Sequence, residues 1–341
     1  MGLSERSKRA TLADVAREAG VSIQTASHVL SGTETARVAE ATRVRVKEAA
    51  AKVRYQPNMV AQAMRYGKTN VVSIWMPLDR PILTYLRYLH MFQELSEQEG
   101  YQIMVMGLNT KSALTNEGEI PRMWPVDGII SVDAGKAIGL LREDPQYDSI
   151  PAVVLGYESY KNTDSVAWDL LGAAREAVRR MIRAGRKEIA FVAPQRILDD
   201  FPNERRRRGY NEAMEEAGLK PRYIGIAQDT SEVAELGVLA DFEKNGVPQG
   251  VLAFTDAVSI GVARAALHLK RRIPDDCQIW GLGDYPESAD FRIPLSTIRP
   301  PREKIVNQAW KWLGERMDNI ALEPRFVEYE MELIERESTR T

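Results

Sequence analysis

Eight short apolar runs between residues 71 and 283 limit what this chain can fold into. They are "VVSIWMP", "YQIMVMG", "DGIISV", "PAVVLG", "KEIAFVA", "YIGIA", "GVLAFT" and "CQIWGLG". Each is apolar on both alternating sides, so a strand built from it must be covered on both faces. Between most of them lie segments of helical periodicity, such as 81–99, 170–184, 203–217 and 231–245. Strands alternating with helices build parallel sheets with helices on both sides. About 230 residues of this pattern exceed what one such sheet usually takes. The pattern therefore predicts two α/β lobes with a cleft between them, and ligands of such sheets bind beyond the carboxyl ends of the strands.

Ahead of residue 71 the texture changes to short helical segments. In "TLADVAREAG", Thr11 can cap a helix whose inward face is Leu12, Val15, Ala16 and Ala19, and Gly20 stops it. In "VSIQTASHVL", Ser22 is the expected cap, with Val21, Ala26, Val29 and Leu30 inward. In "EATRVRVKEAAAKV" the expectation is Val44, Ala50 and Val53 inward, with Arg43, Arg45 and Lys47 outward. Pro57 ends that segment, and Asn58 can cap a further short helix to about Tyr66, closed by Gly67. Ala16, Gly20 and Ala26 hold the small, turn and locking positions of a helix-turn-helix. Its second helix presents Ile23, Gln24, Thr25, Ser27 and His28 early on its exposed side. Gln24 suits an adenine edge, Ile23 a thymine methyl, and Ser22 and Thr25 phosphate oxygens.

Charge agrees with a polyanion partner for this piece alone. Residues 1–70 hold 12 Lys or Arg against 6 Asp or Glu, leaving 34 and 42 of the chain's 46 and 48 for the remainder. A single cysteine, Cys277, fits a reducing cytoplasm. The start of the chain shows no apolar stretch of signal-peptide type, and no apolar run is long enough for a membrane helix. Catalysis, a cofactor and a metal are not expected: His28, His90 and His268 stand in unrelated segments, and no phosphate loop or metal-ligand spacing appears. A solute-binding protein without DNA function would share the two-lobed body, but it needs an export signal and has no use for residues 11–66.

Taken together, "TLADVAREAGVSIQTASHVLSG" and "TRVRVKEAAAKVRYQPNMVAQAMRYGKT" resemble the start of the lactose/galactose repressor (LacI) family of bacterial transcription regulators. "RRRGY", "LAFTDAVSIGVARA", "IWGLGD", "PLSTIRPP" and "ELIERES" extend the resemblance through the chain. It implies an all-α helix-turn-helix headpiece at 1–57, a hinge helix and linker at 58–70, and a periplasmic-binding-protein-like body at 71–341. The body would consist of Rossmann-like lobes at about 71–167 with 299–325, and 168–298 with 326–341. The implied partners are double-stranded operator DNA, a small-molecule effector that is sugar-like or anionic, and a second copy of the chain. A dimer is expected in preference to a tetramer, and no membrane is involved.

Further residues are carried over from the resemblance. DNA contacts would come also from Thr11, Thr42, Tyr55, Asn58 and Ala61, with Met64 as the apolar wedge of the hinge helix. Effector contacts would come from Asp79, Trp168, Arg206, Thr255, Asp256 and Asp284. Three departures stand out. His28 replaces a customary Arg, Ala39 a capping Ser or Thr, and Gly283 an Asp that accepts two sugar hydroxyls. Without that acceptor a standard hexose pose leaves hydroxyls unpaired, which is costly in a buried pocket. Arg299 and Arg302 lie close by in sequence. In "REKIVNQAWKWLGERM", Ile305, Val306, Ala309, Trp310, Leu313 and Met317 recur at helical spacing and suit a core.

Overall fold

The structure, a computed structural model, describes residues 10–30, 38–55, 68–77, 83–109 and 125–340. Asn58, Ala61, Met64, the expected hinge helix and Asp79 lie outside them. The chain divides into two compact units, Met1–Thr69 and Asn70–Thr341.

The first unit holds α1 (Leu12–Ala19), α2 (Ile23–Leu30) and α3 (Glu40–Lys52). Thr11 and Asp14 form a reciprocal capping box on α1. Gly20 then adopts φ +65°, a left-handed conformation that costs a glycine little, and Val21 donates back to the Ala16 carbonyl at 3.0 Å. Ser22 Oγ accepts from the Thr25 amide at 3.0 Å and so caps α2. The core is small: Val15, Ala16, Ala19, Ala26, Val29, Val46, Ala49 and Ala50. Val44, expected inward, is 46% exposed. Val46 takes its place because it lies three, four and seven residues from Ala49, Ala50 and Val53, on one helical face. Lys52 reaches Glu18 at 2.5 Å, tying α3 to α1.

In the second unit, the first lobe's sheet contains β1 (Val71–Pro77), β2 (Gln102–Leu108), β3 (Gly128–Val132), β4 (Ala152–Leu155), β5 (Asp164–Trp168) and β11 (Phe326–Tyr329). Its order is β11-β5-β4-β3-β1-β2, parallel throughout. The second lobe's sheet contains β6 (Ile189–Pro194), β7 (Arg222–Ile226), β8 (Gly250–Ala253), β9 (Gln278–Leu282), β10 (Ser296–Arg299) and β12 (Glu332–Ile334). Its order is β12-β10-β9-β8-β6-β7, parallel except for β12. Helices α4 (Leu83–Glu99), α5 (Gly135–Glu143) and α12 (Arg302–Asp318) pack with the first sheet. Helices α6 (Leu170–Arg183), α7 (Gln195–Asp200), α8 (Arg205–Glu216), α9 (Ser231–Asn245), α10 (Asp256–His268) and α11 (Pro286–Ala289) belong to the second. On α12, Ile305, Val306, Ala309, Trp310 and Leu313 are buried against β3, β4, β5 and α4, so that stripe is core.

The chain crosses between lobes three times, after β5, after β10 and after β11. The last crossing differs from expectation. The sequence places residues 326–329 in the second lobe, but β11 pairs with β5 from Phe326–Ser165 to Tyr329–Trp168, so the first lobe extends to Tyr329. A buried ion pair ties α12 to β5. Arg316 donates to both carboxylate oxygens of Asp164 at 2.7 and 3.0 Å, and neither side chain is exposed. Burial raises the Asp164 pKa, but the Arg316 and Arg325 hydrogen bonds outweigh it and hold the carboxyl below its usual range.

Candidate functional site

Two regions carry candidate chemistry, one on each unit. On the first, Ser22, Ile23 and Gln24 are exposed at the start of α2, and Ile23 is 51% accessible despite being apolar. Thr25 is half-buried and its hydroxyl lies 2.9 Å from that of Ser22. Ser27 departs from the expected exposed position: it is buried beside Ala26, on the inward side of α2. His28 is half-buried, one helical turn beyond Gln24. Thr42 is half-buried near the start of α3, and Tyr55 packs on the small core. Thr11 is exposed, with its hydroxyl engaged by Asp14 at 2.7 Å.

On the second unit, the carboxyl ends of the strands deliver aromatic and charged side chains to the space between the lobes. Trp168 ends β5 and is 7% exposed; Tyr157, just after β4, meets it edge-on at 5.4 Å between ring centroids. Arg205, at the start of α8 in the second lobe, lies 4.0 Å over the Tyr157 ring and pairs with Glu328 of β11 at 2.9 Å. Burial pushes the Tyr157 phenol well above its usual pKa, with Asp133 adding to the effect, and its hydroxyl has no hydrogen-bond partner among the described residues. Asp133 follows β3 and accepts from Tyr85 of α4 at 3.3 Å. Arg206, in contrast, is turned into its own lobe. It donates to Glu204 at 2.7 Å and to the Phe254 carbonyl at 2.9 Å, and stacks 3.4 Å from the Phe254 ring centroid.

Three expected effector contacts are occupied within the protein. Thr255 caps α10, accepting from the Val258 amide at 3.3 Å. Asp256 is fully buried and accepts from Thr297 Oγ1 at 2.6 Å, the Tyr285 amide at 2.7 Å and Ser288 Oγ at 3.1 Å. It holds the loop after β9 through these three donors. Burial pushes its pKa up to about 6 against the pull of those donors. Asp284 is gripped by Arg299 at 2.7 Å and Arg336 at 2.5 Å.

The same loop explains what replaces the missing acceptor. Gly283 sits at φ +127°, and a Cβ there would lie 2.7 Å from the Tyr285 ring. The ring fills the space a side chain at 283 would need. Across the cleft, Arg87 of α4 donates to the Asp284 carbonyl at 2.9 Å and approaches the Tyr285 ring at 5.8 Å, while Arg302 donates to the Gly283 carbonyl. Arg302 is thus a bridge between lobes, and burial lowers its pKa. Sequence reasoning missed Tyr157, Asp133, Arg87, Arg205 and Tyr285. The position of Tyr157 and Asp133 just past strand ends was the available signal.

Comparison with known proteins follows the same division. Residues 11–58 match the family model described as bacterial regulatory proteins, lacI family, and residues 178–339 match the periplasmic binding protein-like domain. The HTH-type transcriptional repressor PurR of Histophilus somni (strain 2336) is 26% identical, with 97% of this chain and 99% of that protein covered. Catabolite control protein A of Priestia megaterium is 27% identical over 97% of this chain and 99% of its own length. Among solved structures, the lac repressor dimer bound to operator and the anti-inducer ONPF superposes with a TM-score of 0.77 at 20% identity, covering 98% of this chain and 100% of that one.

Proposed function

Because the chain belongs to the lacI family of bacterial regulatory proteins, and is therefore a DNA-binding transcription regulator and no enzyme, we propose that it represses genes by binding a near-palindromic operator as a homodimer in the cytoplasm. The observation that carries this reading is the capped α2, which offers Ser22, Ile23 and Gln24 to solvent on the basic piece of an otherwise acidic chain. Gln24 and Ile23 read base edges, Ser22 and Thr25 meet phosphates, and His28 reads a base one turn further along. A small metabolite held between Trp168, Tyr157 and Asp133 sets the angle between the lobes and so the DNA affinity. Coupling of this kind is typically about 1–3 kcal/mol. The closed space at Gly283 and the arginines around it favour an anionic ligand over a neutral hexose.

Gel shifts with genomic fragments, repeated over a salt series, test the core of this. Specific binding that weakens steeply with salt is expected; absence of any bound fragment, including the region upstream of its own gene, sinks the proposal. His28→Arg should then change base preference at one position per half-site, since an arginine pair to guanine discriminates by about 1–3 kcal/mol. An unaltered binding-site logo places His28 off the bases.

A further inference from the structure

A second cavity lies in the other lobe surface, away from the cleft. It has a volume of about 600 Å³ and is lined by the carboxyl half of α6, the amino half of β9 and the segment 335–340. That size is within the usual range for a small-molecule site. Ligands of parallel sheets ordinarily bind past the carboxyl ends of the strands, where Trp168 and Gly283 stand. This cavity opens beside Gln278, the first residue of β9, so it is a separate place.

Its floor is Gln278 and Trp280. Gln278 is satisfied, donating to the Thr339 carbonyl at 3.0 Å. Trp280 is 1% exposed, and its indole N–H is buried without a hydrogen-bond partner among the described residues. The walls carry Arg180, Arg183 and Arg340 against Glu176 and Glu335. Both carboxylates are already engaged: Glu176 by Arg183 at 2.6 Å and Arg180 at 3.3 Å, Glu335 by Arg180 at 2.6 Å. Arg340 donates to the Glu335 carbonyl at 3.0 Å and pairs with neither carboxylate among the described residues. Among the described lining side chains, three guanidinium groups facing two carboxylates leave a positive excess beside the Trp280 ring.

We infer that this cavity is a second ligand site, which takes the oxyanion of a small carboxylated or phosphorylated metabolite, with Arg183 and Arg340 pairing its charge beside the Trp280 ring. Guanidinium contacts to such groups are the strong, charge-assisted kind. The inference does not depend on DNA binding or on an effector in the cleft.

The test uses the full chain labelled with 5-fluorotryptophan, whose six tryptophans give separate ¹⁹F signals. The Trp280 signal is assigned from Trp280→Phe, or by elimination from variants of the other tryptophans. Inorganic phosphate and citrate are titrated separately at constant ionic strength, with chloride as the control. Saturable movement of the Trp280 signal is expected with at least one anion, and which one identifies the source of the oxyanion. Arg183→Gln, at a side chain 60% exposed and so harmless to folding, should raise the midpoint about tenfold, the loss of one charge-assisted contact. Three results overturn the inference: movement of the Trp168 signal alone, which locates binding in the cleft; a shift no different from chloride; or an unchanged midpoint in Arg183→Gln.

Discussion

Two buried carboxylates show how burial and partners decide opposite outcomes for the same side chain. Asp164 meets guanidinium groups and stays ionised; Asp256 meets only neutral donors, and burial lifts its pKa to about 6. With the folded value above the unfolded one, Asp256 contributes stability that is fully present below the unfolded pKa and is lost as pH rises through about 6. Asp256→Asn has nothing to titrate there. Urea unfolding across this window should therefore show the wild-type advantage over Asp256→Asn shrinking with rising pH; a constant difference contradicts it. At neutral pH the variant should be less stable by about 1–3 kcal/mol, because an amide cannot accept at both positions. Arg316→Met strands the Asp164 charge and should cost about 3–5 kcal/mol by the same measurement, with part of the loss recovered when Asp164→Asn is added. A loss near zero would mean Arg325 alone suffices.

Among the elements, legibility in the sequence followed apolar content. The eight apolar runs became β1–β4 and β6–β9, and the segment 231–245 is helix α9 to the residue. The strands β5, β10, β11 and β12 were not among those runs. β11 and β12 are short edge strands without a fully buried residue, and they carry the exposed Glu328 and Glu332. β5 and β10 bury Asp164, Ser296 and Thr297, which read as polar until their partners, tens of residues away, are known. The cleft divides likewise. Trp168 is carried over from the family resemblance, and the structure places it at the end of β5 beside Tyr157. Asp256 and Asp284 read as ligand contacts because a carboxylate at a helix start or strand end looks the same whether it faces a ligand or its own loop; both have partners within the protein. At α1 the capping box was partly legible from Thr11. Its removal in Thr11→Ala should lower headpiece stability by about 1 kcal/mol, read as an earlier melting of the first unit in circular dichroism; unaltered melting would assign the box no energetic role.

For the whole molecule, the body's lobes are joined by side chains as well as by chain. Arg205 reaches Tyr157 and Glu328 on one side, and Arg87 and Arg302 reach the loop after β9 on the other. Opening the cleft would break these contacts, so a ligand that favoured the open state would have to offset them with differential affinity for the two states. The three crossings have another consequence, in the order of synthesis. A ribosome that has made the chain as far as Arg299 has supplied most of both lobes and finished neither. The first sheet still lacks β11 and its covering helix α12, the second lacks β12, and Asp164 has not yet met Arg316. Domains usually mature one after another as they emerge. Here both lobes wait for the same last stretch, so nascent chains halted before Arg302 should be cut by protease in both lobes, whereas chains released after Arg336 resist.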